Sequence, residues 1–149
     1  MDYVVDANVA VKWAVKEALH EEARHVLGLS NSLTAPDLIS AEICNVVRRK
    51  VRLGEIGSEQ GREVIRFAHL VVREPYPCRA LAEPAYELAL QLDHAAYDCL
   101  YLAHARLIDA PLITADAKFA RKAAAAGFAA HVVDLARVRE LAASAATRN

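Results

Sequence analysis

The 149-residue chain has no long apolar run, almost no net charge, three cysteines and five glycines. Each shortage excludes something. No stretch approaches the roughly 18 consecutive apolar residues of a membrane span, so no membrane partner is expected. The strand-like run Tyr3 to Val5 begins at once and leaves no room for the basic and apolar regions of a signal peptide, which makes a cytoplasmic protein the expectation. Cys44, Cys78 and Cys99 are odd in number, widely spaced and without C-x-x-C. A disulfide framework and a zinc or redox site are therefore excluded, and buried free thiols are expected. Gly28, Gly54, Gly57, Gly61 and Gly127 form neither a Walker P-loop nor G-x-G-x-x-G, and no G-x-S-x-G elbow occurs. A formal charge of −1 gives the molecule no general field for a polyanion. RNA binding would have to be local, drawing on Arg48, Arg49, Lys50 and Arg52, on Arg62 and Arg66, or on Lys118, Arg121 and Lys122. Each of these groups reads first as a solvated helix face, with a local RNA contact as the alternative.

What is present is an alternation of short apolar strands and amphipathic helices. The length suits one domain over residues 1–141, with residues 142–149 expected to fray. Tyr3 to Val5 reads as a strand, followed by a helix over Val9 to Glu17 capped by Asn8. His20 to Leu29 is a second helix, Leu33 to Ala35 a second strand, and Leu38 to Leu53 a helix stopped by Gly54. A helix from Ser58 toward Leu70 is expected to lead into a third strand over Val71 to Arg73, ended by Pro75 and Pro77. Helices over Arg79 to Leu92 and Ala95 to Ile108 follow. Leu112 to Thr114 is a strand, with Pro111 tolerated at its start. Ala117 to Ala126 is a helix closed by Gly127, His131 to Val133 a last strand, and Leu135 to Leu141 a last helix. This order predicts an α/β fold with a parallel sheet covered on both faces.

In such sheets ligands bind beyond the carboxyl ends of the strands, where Asp6 and Asp116 both fall. Either could instead be an ordinary turn or cap residue. Glu42 shares an i, i+4, i+8 row with Leu38 and Val46 beside the apolar stripe of Ile39, Ile43 and Val47, which places a carboxylate next to the core. Asp98 continues the face of Leu102 and Ala105; its alternative is an early-turn acid favoured by the helix dipole. Four converging anions would raise one another's pKa until some protonated, unless a cation joined them. An all-oxygen set without His or Cys at ligand spacing suits Mg²⁺ or Mn²⁺ rather than zinc. Asn8 and Thr114 are candidate supporting residues, each with a plain structural alternative. His94, one turn before Asp98, is read as a helix-terminal surface residue, with approach to the site as the alternative. Trp13 reads as a core or interface anchor rather than a base-stacking platform.

Four blocks resemble the PIN domains, and especially the toxin subunits of VapBC toxin–antitoxin pairs. Val4-Val5-Asp6-Ala7-Asn8-Val9-Ala10-Val11-Lys12-Trp13 is similar to the first toxin motif, and Ala35 to Ile43, with Glu42, to the second. Tyr97-Asp98-Cys99-Leu100-Tyr101-Leu102-Ala103 resembles the third, and Leu112-Ile113-Thr114-Ala115-Asp116 with Lys118 and Phe119 the fourth. The resemblance implies a Rossmann-like α/β/α PIN fold and a Mg²⁺ or Mn²⁺ site for RNA phosphodiester hydrolysis at Asp6, Glu42, Asp98 and Asp116. It also implies a homodimer and a VapB-like antitoxin. Asn8 stands where many relatives carry Ser or Thr. The rivals are a non-catalytic PIN-like module, a housekeeping PIN nuclease, and a phosphatase with Asp6 as nucleophile, whose usual second Asp is Asn8 here.

Overall fold

The computed structural model describes residues 2–29 and 32–141; the tail expected to fray lies outside them. Strands β1 (Tyr3–Val5), β2 (Leu33–Thr34), β3 (Leu112–Thr114) and β4 (Val132–Asp134) alternate with helices α1 (Ala7–Lys12), α2 (His20–Val26), α3 (Leu38–Arg52), α4 (Ser58–Val71), α5 (Cys78–Leu92), α6 (Ala96–Leu107) and α7 (Ala117–Ala123). The sheet order is β2-β1-β3-β4 and every pairing is parallel. Residues of β1 and β3 are buried without alternation, as expected of central strands covered on both faces. The chain leaves β1 toward β2 on one side and returns to β3 on the other. The topological switch point therefore lies between the ends of β1 and β3, where the crevice of a doubly wound sheet opens.

The expected third strand over Val71 to Arg73 does not form. Helix α4 continues through Val71, and Val72 is buried as an apolar stop to it. The pairing is displaced to Tyr76, whose N–H donates to Ala35 O at 2.7 Å and whose carbonyl accepts from Asp37 N at 2.8 Å. Pro75 and Pro77 confine this to a single parallel bridge, Pro36 to Tyr76, with the Tyr76 ring stacked on buried His104 at 5.0 Å.

Other boundaries move for local reasons. Asp6, not Asn8, caps α1, because the chain turns helical one residue earlier; Asn8 is exposed. That helix ends at Lys12, well short of Glu17, whose carboxylate pairs with Lys12 at 3.0 Å and with Lys50. Beyond α7 the backbone widens through Ala124–Phe128, and Gly127 reverses it with a φ of +101°, a value favoured in glycine. The last strand is Val132–Asp134, one residue later than expected, and a 3-10 turn over Leu135–Arg137 precedes the final helical residues.

Trp13 is wholly buried, edge-on to Phe67 with centroids 6.4 Å apart. Of the three thiols only Cys99 is buried. Cys44 is exposed because Ile39, Ile43 and Val47 take the inward face of α3, and Cys78 is half-buried. Among the described residues no helix is long and apolar enough to cross a membrane.

Candidate active site

Asp6 follows the last residue of β1, and its carboxylate is held by three donors. Oδ1 accepts from Val9 N at 2.8 Å, capping α1; Oδ2 accepts from Thr114 Oγ1 at 2.6 Å and Ala115 N at 3.1 Å, at the end of β3. Thr114 is itself buried, and its hydroxyl also accepts from Asp116 N at 3.0 Å. Asp116 is exposed, with Oδ1 taking Phe119 N at 2.9 Å to cap α7. One hydroxyl thus ties together the two acids at the switch point. Thr114 thus stands hydrogen-bonded to Asp6, while Asn8 is exposed on α1.

Glu42 reaches the same crevice from α3. It is half-buried and accepts from Tyr101 Oη at 2.7 Å. Asp98, in the first turn of α6, receives His94 Nε2 on Oδ2 at 2.6 Å. His94 thus turns inward rather than remaining a surface residue. Its imidazole also lies 4.6 Å from the Phe119 ring.

Electrostatics place three of the acids within reach of one another. Burial pushes the Asp6 carboxyl above its ordinary pKa, its three hydrogen bonds oppose the rise, and the charge of Asp98 adds to it. Burial likewise raises Glu42 against the Tyr101 hydrogen bond, with Asp98 and Asp6 contributing repulsion. Tyr101 is pushed far above its usual value by burial and then by Glu42. The fourth acid, Asp116, joins the group through Thr114. Among the described residues no three His, Cys, Asp or Glu side chains stand close enough to hold a metal ion as they are, and none of the four acids is ion-paired with Lys or Arg. The donor chemistry nevertheless fits a hard divalent cation: carboxylate oxygens, mutual repulsion and no internal counter-charge.

Tyr101 is the neighbour of the acids that residue-by-residue reading left out, and His94 is one it took first as a surface residue, with approach to the site as the alternative. The signal for Tyr101 was spacing, since it stands three residues after Asp98 on one face of α6; His94 lies in the turn between α5 and α6, where spacing along a helix does not apply. The basic groups divide. Lys50 is buried against Glu17 and Glu55, Arg62 and Arg66 both pair with Glu59, and Lys122 donates to Asp93 O at 2.7 Å. Arg48, Arg49, Arg52, Lys118 and Arg121 are exposed.

Known proteins resemble this chain in sequence and in fold. The chain is 29% identical over 113 residues to a VapC ribonuclease of Mycobacterium bovis, covering 76% of this chain and 84% of that one. It is 35% identical over 88 residues to ribonuclease VapC1 of Mycobacterium tuberculosis, covering 58% and 64% respectively. Ribonuclease VapC3 of Pyrobaculum aerophilum is 25% identical over 124 residues, covering 82% and 95%. The crystal structure of PAE2754 from Pyrobaculum aerophilum superposes with a TM-score of 0.71 at 19% identity, over 96% of this chain and 90% of that one. VapBC2 of Rickettsia felis, solved bound to a DNA fragment from its promoter, gives 0.64 at 19% identity, over 90% and 98%. At those identities the structures speak for the fold alone. The PIN domain model matches residues 3–125, and the chain belongs to the PIN domain family.

Proposed function

We propose that this protein is a Mg²⁺- or Mn²⁺-dependent endoribonuclease, the toxin of a type II toxin–antitoxin pair, working in the cytoplasm as a homodimer. The observation that carries the reading is that Asp6, Glu42 and Asp98, from three separate elements, lie within electrostatic range of one another beside the sheet's switch point, with Asp116 tied in through Thr114. The resemblance of its relatives, named as VapC ribonucleases, supports the substrate class.

In this reading Asp6, Asp98 and Asp116 hold the principal cation and Glu42 assists. A bound divalent cation would neutralise charge on the scissile phosphate and lower the pKa of the attacking water. The protein's own residues do the rest. Thr114 Oγ1 and Ala115 N fix Asp6 Oδ2, so the carboxylate is held in one orientation before substrate arrives. Tyr101 holds one oxygen of Glu42, leaving the other to accept a proton from water. A carboxylate whose pKa is raised by burial suits that task better than an ordinary one. Exposed Lys118 and Arg121, on the helix that Asp116 caps, supply local positive charge for the RNA backbone.

The partner is a VapB-like antitoxin. A groove of about 430 Å³ between α3 and α4, floored by Val47, Val51, Gly61 and Ile65 and rimmed by Arg48, Arg52 and Arg62, suits an amphipathic helix with acidic flanks. Wholly buried Trp13 is not part of it.

The test is cleavage of structured RNA beside a small phosphate ester. RNA should be cut, the ester spared, and cleavage abolished by chelation and restored by Mg²⁺ or Mn²⁺. Asp6→Asn should fold and lose nearly all activity. Equal cutting by Asp6→Asn and wild type would reject the assignment; no cutting by pure, folded wild type with metal would favour a non-catalytic acidic cleft.

A further inference from the structure

We propose that His94 is a positioning residue: it locks the Asp98 carboxylate in the orientation that serves the cation site, with α7 as its backstop. The inference rests on the metal-dependent reading above and concerns a residue outside the four acids.

Asp98 is the third residue of α6. An acid at that position ordinarily turns back to hydrogen-bond the backbone at the helix start, most effectively when the capping residue has a side-chain acceptor. Here the capping residue is Ala95, which offers none. With its side chain 38% exposed, Asp98 has little packing to select a rotamer. The constraint comes from His94 Nε2, which donates to Asp98 Oδ2 at 2.6 Å. With Oδ2 so engaged, the carboxylate plane is set and Oδ1 is the oxygen left for a cation.

A donor fixes its acceptor only if it is itself fixed, and His94 is held from three sides. Asp93 closes α5 in the left-handed region with a φ of +47°, and His94 N then donates back to Ala89 O at 3.1 Å. Helix α7 holds the same turn through Lys122 Nζ on Asp93 O at 2.7 Å. The imidazole lies against Phe119 at 4.6 Å with the ring planes 32° apart. Phe119 is buried, and its N–H is the group that holds Asp116 Oδ1. Thus Asp116, Phe119, His94 and Asp98 form one contact chain, in which α7 sets the relative placement of two acids from different elements.

Residues that hydrogen-bond a metal-binding side chain typically contribute about 10–100-fold to metal affinity. The test is calorimetric titration of the full chain with Mn²⁺, beside RNA cleavage and a metal-free melt. His94→Leu, which keeps apolar bulk against Phe119 but removes the donor, should weaken Mn²⁺ binding by about tenfold or more. His94→Gln, whose amide nitrogen reaches the Nε2 position, should recover most of the loss; His94→Asn, too short, should not. Wild-type affinity in His94→Leu, or equal affinities for Gln and Asn, would overturn the proposal. The Gln and Asn pair decides the matter if the Leu protein fails to fold. A wild-type chain that neither binds Mn²⁺ nor cuts RNA would overturn the metal-dependent reading, and this proposal with it.

Discussion

At the scale of single residues, the site is built from groups that compensate one another's costs, and removing one has a calculable sign. Thr114 is buried and serves two carboxylates' worth of order through one oxygen, donating to Asp6 and accepting from Asp116 N. Thr114→Val conserves shape but deletes both bonds, so it should cost about 1–3 kcal/mol in denaturant melts. Thr114→Ser should recover most of that, since the hydroxyl returns. Glu42 behaves in the opposite sense. Its folded pKa is raised by burial, and by Asp98 and Asp6, so the folded state binds more protons than the unfolded one as pH climbs past the ordinary glutamate range. Stability from this group is therefore full below the unfolded value and falls as pH rises toward the folded one. Glu42→Gln keeps an oxygen for Tyr101 and removes the charge. The metal-free variant should melt higher than wild type at pH 7 and match it in mild acid; a lower melting temperature at pH 7 would contradict the repulsion. The four acids were legible in the sequence because each sits where a chain pattern has a physical exception: a strand end or a carboxylate beside an apolar stripe. The partners Tyr101 and His94 were less so, because an aromatic on a helix and a histidine in an interhelical turn have many ordinary uses and only the fold brings them to Glu42 and Asp98.

At the scale of elements, the helices α3 and α4 meet at Gly61, where an added Cβ would stand 2.8 Å from Val47 Cγ1 and 3.4 Å from Val51 Cγ2. Two effects compete in Gly61→Ala. Helix propensity favours alanine by about 1 kcal/mol, while overpacking typically costs about 1–3 kcal/mol. Val47 is β-branched and stiff in a helix, so it cannot swing clear, and the clash should win. The variant should melt lower than wild type, and adding Val47→Ala should reverse the sign of the Gly61 substitution; a stabilised single variant would mean the helices slide apart freely. Sequence pattern located these long helices well because their apolar faces repeat over several turns. It failed at Val71 to Arg73, where Val71 ends α4 and Val72 caps it instead of starting a strand. Local propensity there is outweighed by Tyr76, which takes the sheet-edge bonds to Ala35 and Asp37. It also missed that Lys50, one of four neighbouring bases, turns inward to Glu17 and Glu55, since a charge run does not declare which member the tertiary structure will bury.

For the whole molecule, parallel strands in the order β2-β1-β3-β4 place the carboxyl ends of β1 and β3 side by side, with Glu42 of α3 and Asp98 of α6 within electrostatic range of Asp6 there. The face that carries the proposed site is thereby acidic while the chain as a whole is nearly neutral, so a partner cannot be recruited or excluded by net charge alone. A nuclease that acts on cellular RNA needs restraint, and the groove between α3 and α4 offers a separate place for it, apolar in its floor and ringed by Arg48, Arg52 and Arg62. Binding there and inhibition at the acids are then separable. Expression of the chain alone should arrest growth, co-expression with the gene beside its own should relieve the arrest, and Asp98→Asn should abolish it. Capture of the neighbour's product should survive Asp98→Asn, because groove packing does not involve that carboxylate. Arg52→Glu, at an exposed rim position, should do the reverse: it should weaken capture at least tenfold, about 1.4 kcal/mol or more, and leave RNA cleavage by the isolated protein unchanged. If Arg52→Glu binds the partner as tightly as wild type while substitutions at the acids release it, the partner is held at the active site and the groove has no part in restraint.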